Sequence, residues 1–114
     1  MKVFIAGHKG LVGSAVCRVA PKSNVDLILR DRSQVDLVNQ REVGKFFEGE
    51  RVDVVIMCAA KVGGILANKA EMFDFAYENS QMALNVIKAA VNAKIQKLVF
   101  LGSSCIYPSG FDEP

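Results

Sequence analysis

Residues able to do chemistry gather at three places in this chain. The first is Gly7-His8-Lys9-Gly10-Leu11-Val12-Gly13, a G-x-x-G-x-x-G loop between an apolar run and a helical pattern. Each glycine has its own task there: Gly7 for a tight turn, Gly10 for close approach of backbone to a pyrophosphate, and Gly13 for close packing of the helix. The helix start at Leu11 and Val12 would add free N–H groups and a partial positive charge for phosphate oxygens. Lys9 either approaches a phosphate as a point charge or is simply solvated, and His8 reads as an exposed loop residue. The second place is Arg30-Asp31-Arg32, where an acidic side chain would hold a ribose 2′-hydroxyl and a guanidinium would grip a 2′-phosphate. Arg30 ends the apolar run, which favours NADP over NAD, with Asp31 arguing the other way. The third is Ser103-Ser104-Cys105-Ile106-Tyr107: two hydroxyls, a thiol and a phenol in five residues. A serine there could stabilise developing negative charge on a carbonyl oxygen, and a thiol could move a proton. A polar turn closed by Pro108 is the alternative.

These groups need a scaffold that brings them to one edge. Apolar runs alternating with helical periodicity predict an α/β domain with a parallel sheet. Strands are expected at Lys2 to Ala6, Val25 to Leu29, Asp53 to Cys58 and Lys97 to Leu101. Helices are expected at Leu11 to Ala20, stopped by Pro21, at Asn39 to Glu48, and at Met72 to Ala93. The run Asp53 to Cys58 lacks alternation, as in a strand covered on both faces. Right-handed crossovers lead to the expected order 3-2-1-4, the first half of a doubly wound Rossmann-type domain. Ligands in such sheets bind beyond the carboxyl ends of the strands. There Ala59 and Ala60 are small enough for a ribose or nicotinamide to pass, or serve ordinary packing. Cys58 reads as a small core residue.

The 114 residues are 51% hydrophobic and 23% charged, which excludes a disordered chain and suits one domain or part of one. The net charge of +2 is spread along the chain, and neither a basic block nor a zinc-finger spacing marks a nucleic-acid binder. The opening residues run directly into the glycine loop, unlike a signal peptide, and no stretch is long enough to span a membrane. Cys17, Cys58 and Cys105 form no C-x-x-C and cannot all pair, which fits a reducing cytoplasm.

Taken together, Val3 to Ala15, Ala59-Ala60-Lys61-Val62-Gly63-Gly64-Ile65 and Leu101 to Pro108 resemble the N-terminal part of the extended short-chain dehydrogenase/reductase family. The last two stretches resemble its branch of GDP-4-keto-6-deoxymannose 3,5-epimerase-4-reductases. The resemblance implies an NADP(H)-dependent enzyme that inverts C3 and C5 of the keto sugar through enolates, reduces C4 and yields GDP-L-fucose. It also implies that Ser103 is an active-site serine, Cys105 an epimerisation acid/base, and Arg30 a ligand of the 2′-phosphate. Asp36 and its neighbour Leu37 fall in a stretch that contacts adenine, and Asn79 near the nicotinamide ribose. A homodimer built through the counterpart of Met72 to Ala93 and a GDP-sugar substrate are the implied partners. The family's Tyr-x-x-x-Lys is not found: Tyr77 is followed by Gln81 and Tyr107 by Phe111. A second epimerisation residue, a histidine, and a substrate domain would lie beyond Pro114. The chain is therefore expected to be a partial cofactor domain, inactive alone. A non-catalytic dinucleotide-binding module, or a fragment of another nucleotide-sugar epimerase or dehydratase, is the alternative.

Overall fold

The computed structural model describes residues 1–63, 71–103 and 110. Among these residues, four parallel strands form one sheet: β1 (Lys2–Ala6), β2 (Asp26–Ile28), β3 (Val54–Met57) and β4 (Lys97–Phe100). Helices α1 (Leu11–Val19), α2 (Gln40–Gly49) and α3 (Met72–Asn92) connect them. Pro21 does more than stop α1, because the chain tightens into a 3-10 turn over Ala20–Ser23 with proline in its first turn. Asn24, at φ 51°, then turns the chain into β2.

The strand order is β2-β1-β3-β4, not the expected 3-2-1-4. After β2 the chain makes hydrogen-bonded turns through Asp31–Gln34 and Asp36–Asn39, and α2 then carries it back across β1. Strand β3 therefore pairs with β1, with Phe4 opposite Val55 and Ala6 opposite Met57. This reversal of direction at β1 puts the topological switch point between β1 and β3, where a crevice opens at the carboxyl ends.

Right-handed crossovers in opposite directions place α1 on one face and α2 with α3 on the other. The α2–α3 face carries the larger core: Phe4, Ala6, Val55 and Met57 from the sheet, Val43 and Phe47 from α2, and Val86, Ala89 and Ala90 from α3. Rings of Phe4, Phe46 and Phe47 meet at centroid distances of 4.7 to 6.0 Å. Strand β3, expected to be covered on both faces, is fully buried at Val55 and Met57, while Val54 and Ile56 are half-buried on the α1 side. Helix α2 starts on a reciprocal cap. Asn39 Oδ1 accepts from the N–H groups of Arg41 and Glu42, while Glu42 reaches back to the N–H of Asp36 at 2.8 Å.

Candidate functional site

The site begins where β1 ends. Gly7 has φ 84°, a conformation that favours glycine, and its carbonyl accepts the Gly10 N–H at 3.0 Å. A Cβ on Gly7 would lie 2.7 Å from the Ala59 backbone, so β1 and β3 touch through glycine and a small residue at the switch point. Gly13 is buried in the first turn of α1, and a Cβ there would overlap the Gly7 carbonyl oxygen. Helix α1 thus starts directly over the loop. Its N-cap is Gly10, no side chain caps it, and its first turn holds no acidic residue. The first N–H groups of a helix have no intrahelical acceptor, and together with the dipole they make an anion site. Leu11 and Val12 expose their side chains, so what they present at the helix start is backbone.

A cleft of about 320 Å³ opens beside the loop, at the low end of the range for ligand pockets. It brings together Gly7, Lys9, Gly10, Arg30, Asp36, Leu37, Ala59 and Ala60, eight of the residues expected at a cofactor. His8 also lines it, half-buried rather than exposed, with an Nδ1 that has no hydrogen-bond partner among the described residues. Three cations stand at the mouth, each paired with a carboxylate: Lys9 with Asp31 at 2.9 Å, Arg30 with Glu50 at 3.2 Å and Arg32 with Asp36 at 3.5 Å. Arg30 is further held by the Leu29 carbonyl at 2.9 Å and lies 5.9 Å from the Phe46 ring centroid.

Helix α3 holds both walls. Asn85, buried beneath the cleft, donates to the carbonyls of Leu37 and Val38 at 2.9 Å each and accepts from Gln81. Asn79 accepts the Lys61 N–H at 2.6 Å and donates to the Lys61 carbonyl at 3.0 Å, pinning the chain beyond β3. The Lys61 ammonium pairs with Glu78 at 3.2 Å and Glu71 at 3.7 Å; the Glu78 hydrogen bond first, then these charges and Asp74, push its pKa up against partial burial. Burial, followed by Cys17, pushes the Cys58 thiol up, so Cys58 is protonated at neutral pH and serves as a wall.

Asn79 therefore sits behind the cleft lining rather than in it, and Leu11, Val12 and Gly13 do not line the cleft but follow its Gly10 in the first turn of α1. Ser103 is exposed just past β4, one strand further along the same carboxyl edge. Cys105, Ile65 and the stretch Ser104 to Pro108 lie outside the described residues. Arg32, read together with Arg30 and Asp31, lines the cleft, whereas sequence reasoning missed Lys61 and Glu78 there, and Glu50 and Asn85 behind it. Among the described residues no group of His, Cys, Asp and Glu is arranged to hold a metal ion, and no helix is long and apolar enough to cross a membrane.

The family model described as the NAD dependent epimerase/dehydratase family matches residues 3–114. The chain belongs to this family. Within the epimerase/dehydratase family it is similar to the GDP-L-fucose synthases of Sinorhizobium fredii and Escherichia coli, 48% identical to each over 99% of this chain and 36% of each relative. It is also similar in structure to a GDP-mannoheptose C4 reductase from Campylobacter jejuni with NADP bound, at TM-score 0.92 and 41% identity, covering 99% of this chain and 36% of that one. A GDP-D-glycero-L-gluco-heptose synthase from the same organism, solved in the presence of NADPH, matches with TM-score 0.92 and 41% identity over 99% of this chain and 33% of that one. The fold is that of Rossmann-type reductases, and the relatives are oxidoreductases and epimerases of nucleotide sugars. The chain spans about a third of the length of the curated relatives it matches.

Proposed function

We propose that the chain is the cofactor-binding part of an NADP-dependent enzyme that epimerises and reduces GDP-4-keto-6-deoxy-D-mannose to GDP-L-fucose. The observation that carries the cofactor reading is the stacking of Gly13 under the Gly7 carbonyl, which leaves the uncapped start of α1 facing the loop. A Cβ on Gly7 would strike the Ala59 backbone and one on Gly13 the Gly7 carbonyl, so either would push loop and helix apart, and the cations Lys9, Arg30 and Arg32 at the cleft mouth suit further phosphate charge. The residues present therefore fit NADP(H). The 48% identity to GDP-L-fucose synthases supports this choice of sugar.

When bound, NADPH supplies the hydride that reduces C4. In this reading the amides of Leu11, Val12 and Gly13 hold the diphosphate, Asp36 and Leu37 border the adenine, and Arg30 with its neighbours takes the 2′-phosphate. Ala59 and Ala60 let the nicotinamide ribose pass beyond β3, and Asn79 orients that segment through Lys61. Ser103 donates a hydrogen bond to the C4 oxygen of the substrate, which stabilises the enolate that forms when a proton leaves C3 or C5. Cys105 is the acid/base that takes up or returns such a proton. The general acid that protonates the C4 oxygen after hydride arrival belongs to the part of the enzyme outside this chain.

Helix α3 supports a homodimer in the complete protein. Phe73, Tyr77, Leu84, Ile87 and Val91 form one exposed apolar stripe at helical spacing, opposite the face of Met82, Val86 and Ala89 that packs on α2 and the sheet. The proposed compartment is the cytoplasm, where nucleotide sugars and reduced thiols coexist.

The test is turnover by the complete protein: GDP-4-keto-6-deoxy-D-mannose with NADPH should give GDP-L-fucose, followed by loss of NADPH absorbance and chromatography of the product. The likeness to GDP-heptose enzymes favours a second reading, a C4 reductase of a GDP-heptose. Turnover only of a GDP-4-keto-heptose would select it.

A further inference from the structure

Asn85, 4% exposed, is the buried polar side chain among the described residues, and it stands in an apolar helix face. Its neighbours on α3, Met82, Val86 and Ala89, pack on the core, where a leucine of similar size would serve as well. A buried amide is costly unless its hydrogen-bonding groups are met, so its presence there is explained by its partners. Nδ2 donates to the Leu37 carbonyl and to the Val38 carbonyl, both at 2.9 Å, and Oδ1 accepts from Gln81 Nε2 at 2.7 Å, one turn earlier on the helix. Two carbonyls on one side and a donor on the other admit one orientation of the amide. Leu37 and Val38 belong to the stretch between β2 and α2 that is neither strand nor helix, and both line the cleft together with Val35, Asp36 and Met82. Asn85 lies beneath that lining.

We infer that Asn85 is a positioning residue for adenine: by holding two consecutive carbonyls from below, it sets where the Leu37–Val38 wall stands against the base. Other bonds of this wall are local. The Val38 N–H donates to Asp36 Oδ1 at 3.1 Å, and the Asp36 N–H donates to Glu42 at 2.8 Å. These shape the turn, whereas the two Asn85 bonds tie it to a helix 47 and 48 residues further along the chain and fix its distance from the rest of the cleft. Without them the carbonyls would seek water as a partner, and the wall would move with them. A flat base gains its contact energy from close apposition, which a displaced wall forfeits. The inference rests on the dinucleotide reading of the cleft, with adenine at Asp36 and Leu37.

The complete protein would be titrated calorimetrically with NADPH and with adenosine 2′,5′-bisphosphate, which carries the adenosine half and no nicotinamide, as wild type, Asn85→Leu and Gln81→Leu. Asn85→Leu keeps the volume and removes both donors. It should weaken NADPH and the bisphosphate by the same factor, about tenfold, on the order of one hydrogen bond. Gln81→Leu leaves both donors in place but frees the amide to turn, and should weaken both ligands about threefold. Thermal melting runs alongside, because a purely structural amide would lower melting and leave both affinities unchanged. That result overturns the inference while the cleft remains a dinucleotide site. So does a loss of NADPH affinity several-fold larger than the loss for the bisphosphate, or a wild type that binds NADPH and not the bisphosphate. Should Asn85→Leu not fold, Gln81→Leu decides on the same two ligands: equal threefold losses support the inference and unchanged affinities overturn it. Binding of neither ligand by the wild type overturns the dinucleotide reading itself.

Discussion

Asn79 closes on the backbone of Lys61 from both sides, its Oδ1 2.6 Å from the Lys61 nitrogen and its Nδ2 3.0 Å from the Lys61 oxygen. The amide acts as a strand-like partner for the chain beyond β3, and it fixes where Ala59, Ala60 and Lys61 run past the cleft. Asn79→Ala should cost about 1–2 kcal/mol of stability, the net worth of two neutral hydrogen bonds, and weaken NADPH several-fold. Asn79→Asp retains the acceptor and should fall between the two. Thermal unfolding and fluorescence titration measure both effects, and an Asn79→Ala protein with unchanged melting would show that the clamp is idle.

Two glycines in helices should respond in opposite ways. A Cβ on Gly13 would strike the Gly7 carbonyl, so Gly13→Ala should displace α1 from the loop, destabilise by about 1–3 kcal/mol or more and abolish dinucleotide binding. Gly44, inside α2, has nothing within 4 Å of such a Cβ. Gly44→Ala should therefore stabilise by about 0.5–1 kcal/mol through helix propensity alone. Denaturant midpoints for the pair check the contrast.

Acid should loosen the end of the sheet far from the cleft. Asp53 Oδ2 accepts the Lys2 N–H at 2.8 Å and Oδ1 lies 3.5 Å from Arg51 Nε. The Lys2 hydrogen bond chiefly, then Arg51, lower its pKa against the opposing effect of burial. A lowered folded-state pKa means that the unfolded chain binds the proton first as pH drops. The stabilisation is full above the ordinary value of about 3.9 and is lost as pH falls from there through the folded value. Asp53→Asn should flatten the slope of stability against pH below about pH 4, measured by urea midpoints; an unaltered slope would contradict the assignment.

Ser103→Ala in the complete protein should lower turnover on the order of 100-fold with NADPH affinity little changed, as expected for loss of one donor to a developing oxyanion. Loss of NADPH binding instead would remove Ser103 from the chemistry. Arg30→Ala should weaken NADPH more than NADH, and equal weakening would assign Arg30 to the Glu50 and Phe46 packing alone.

What was legible in the sequence was local. Strand β1 runs over the expected Lys2 to Ala6, and the glycine loop announces itself because its three glycines lie within seven consecutive residues, Gly7 to Gly13. The pattern places Asn39 first in α2, whereas it is the helix cap, a shift of one position. The strand order was not legible, since the turns after β2 depend on side chains of Asp31, Ser33 and Asp36 bonding their own backbone and neighbours. Arg30 could be placed at the strand end, but Glu50 lies 20 residues away and meets it only once α2 has crossed the sheet. Asn85 and Leu37 are 48 residues apart, and no periodicity marks a buried amide among Met82, Val86 and Ala89 as the support of a distant loop.

The central claim is that main-chain amides at the start of α1 hold a dinucleotide diphosphate. A crystal structure of the complete protein with NADPH tests it most directly. The expected result is diphosphate oxygens at hydrogen-bond distance, about 2.7–3.2 Å, from the N–H groups of Leu11, Val12 or Gly13. A bound nucleotide whose diphosphate lies away from this turn, or a turn whose amides face the protein interior, would contradict it.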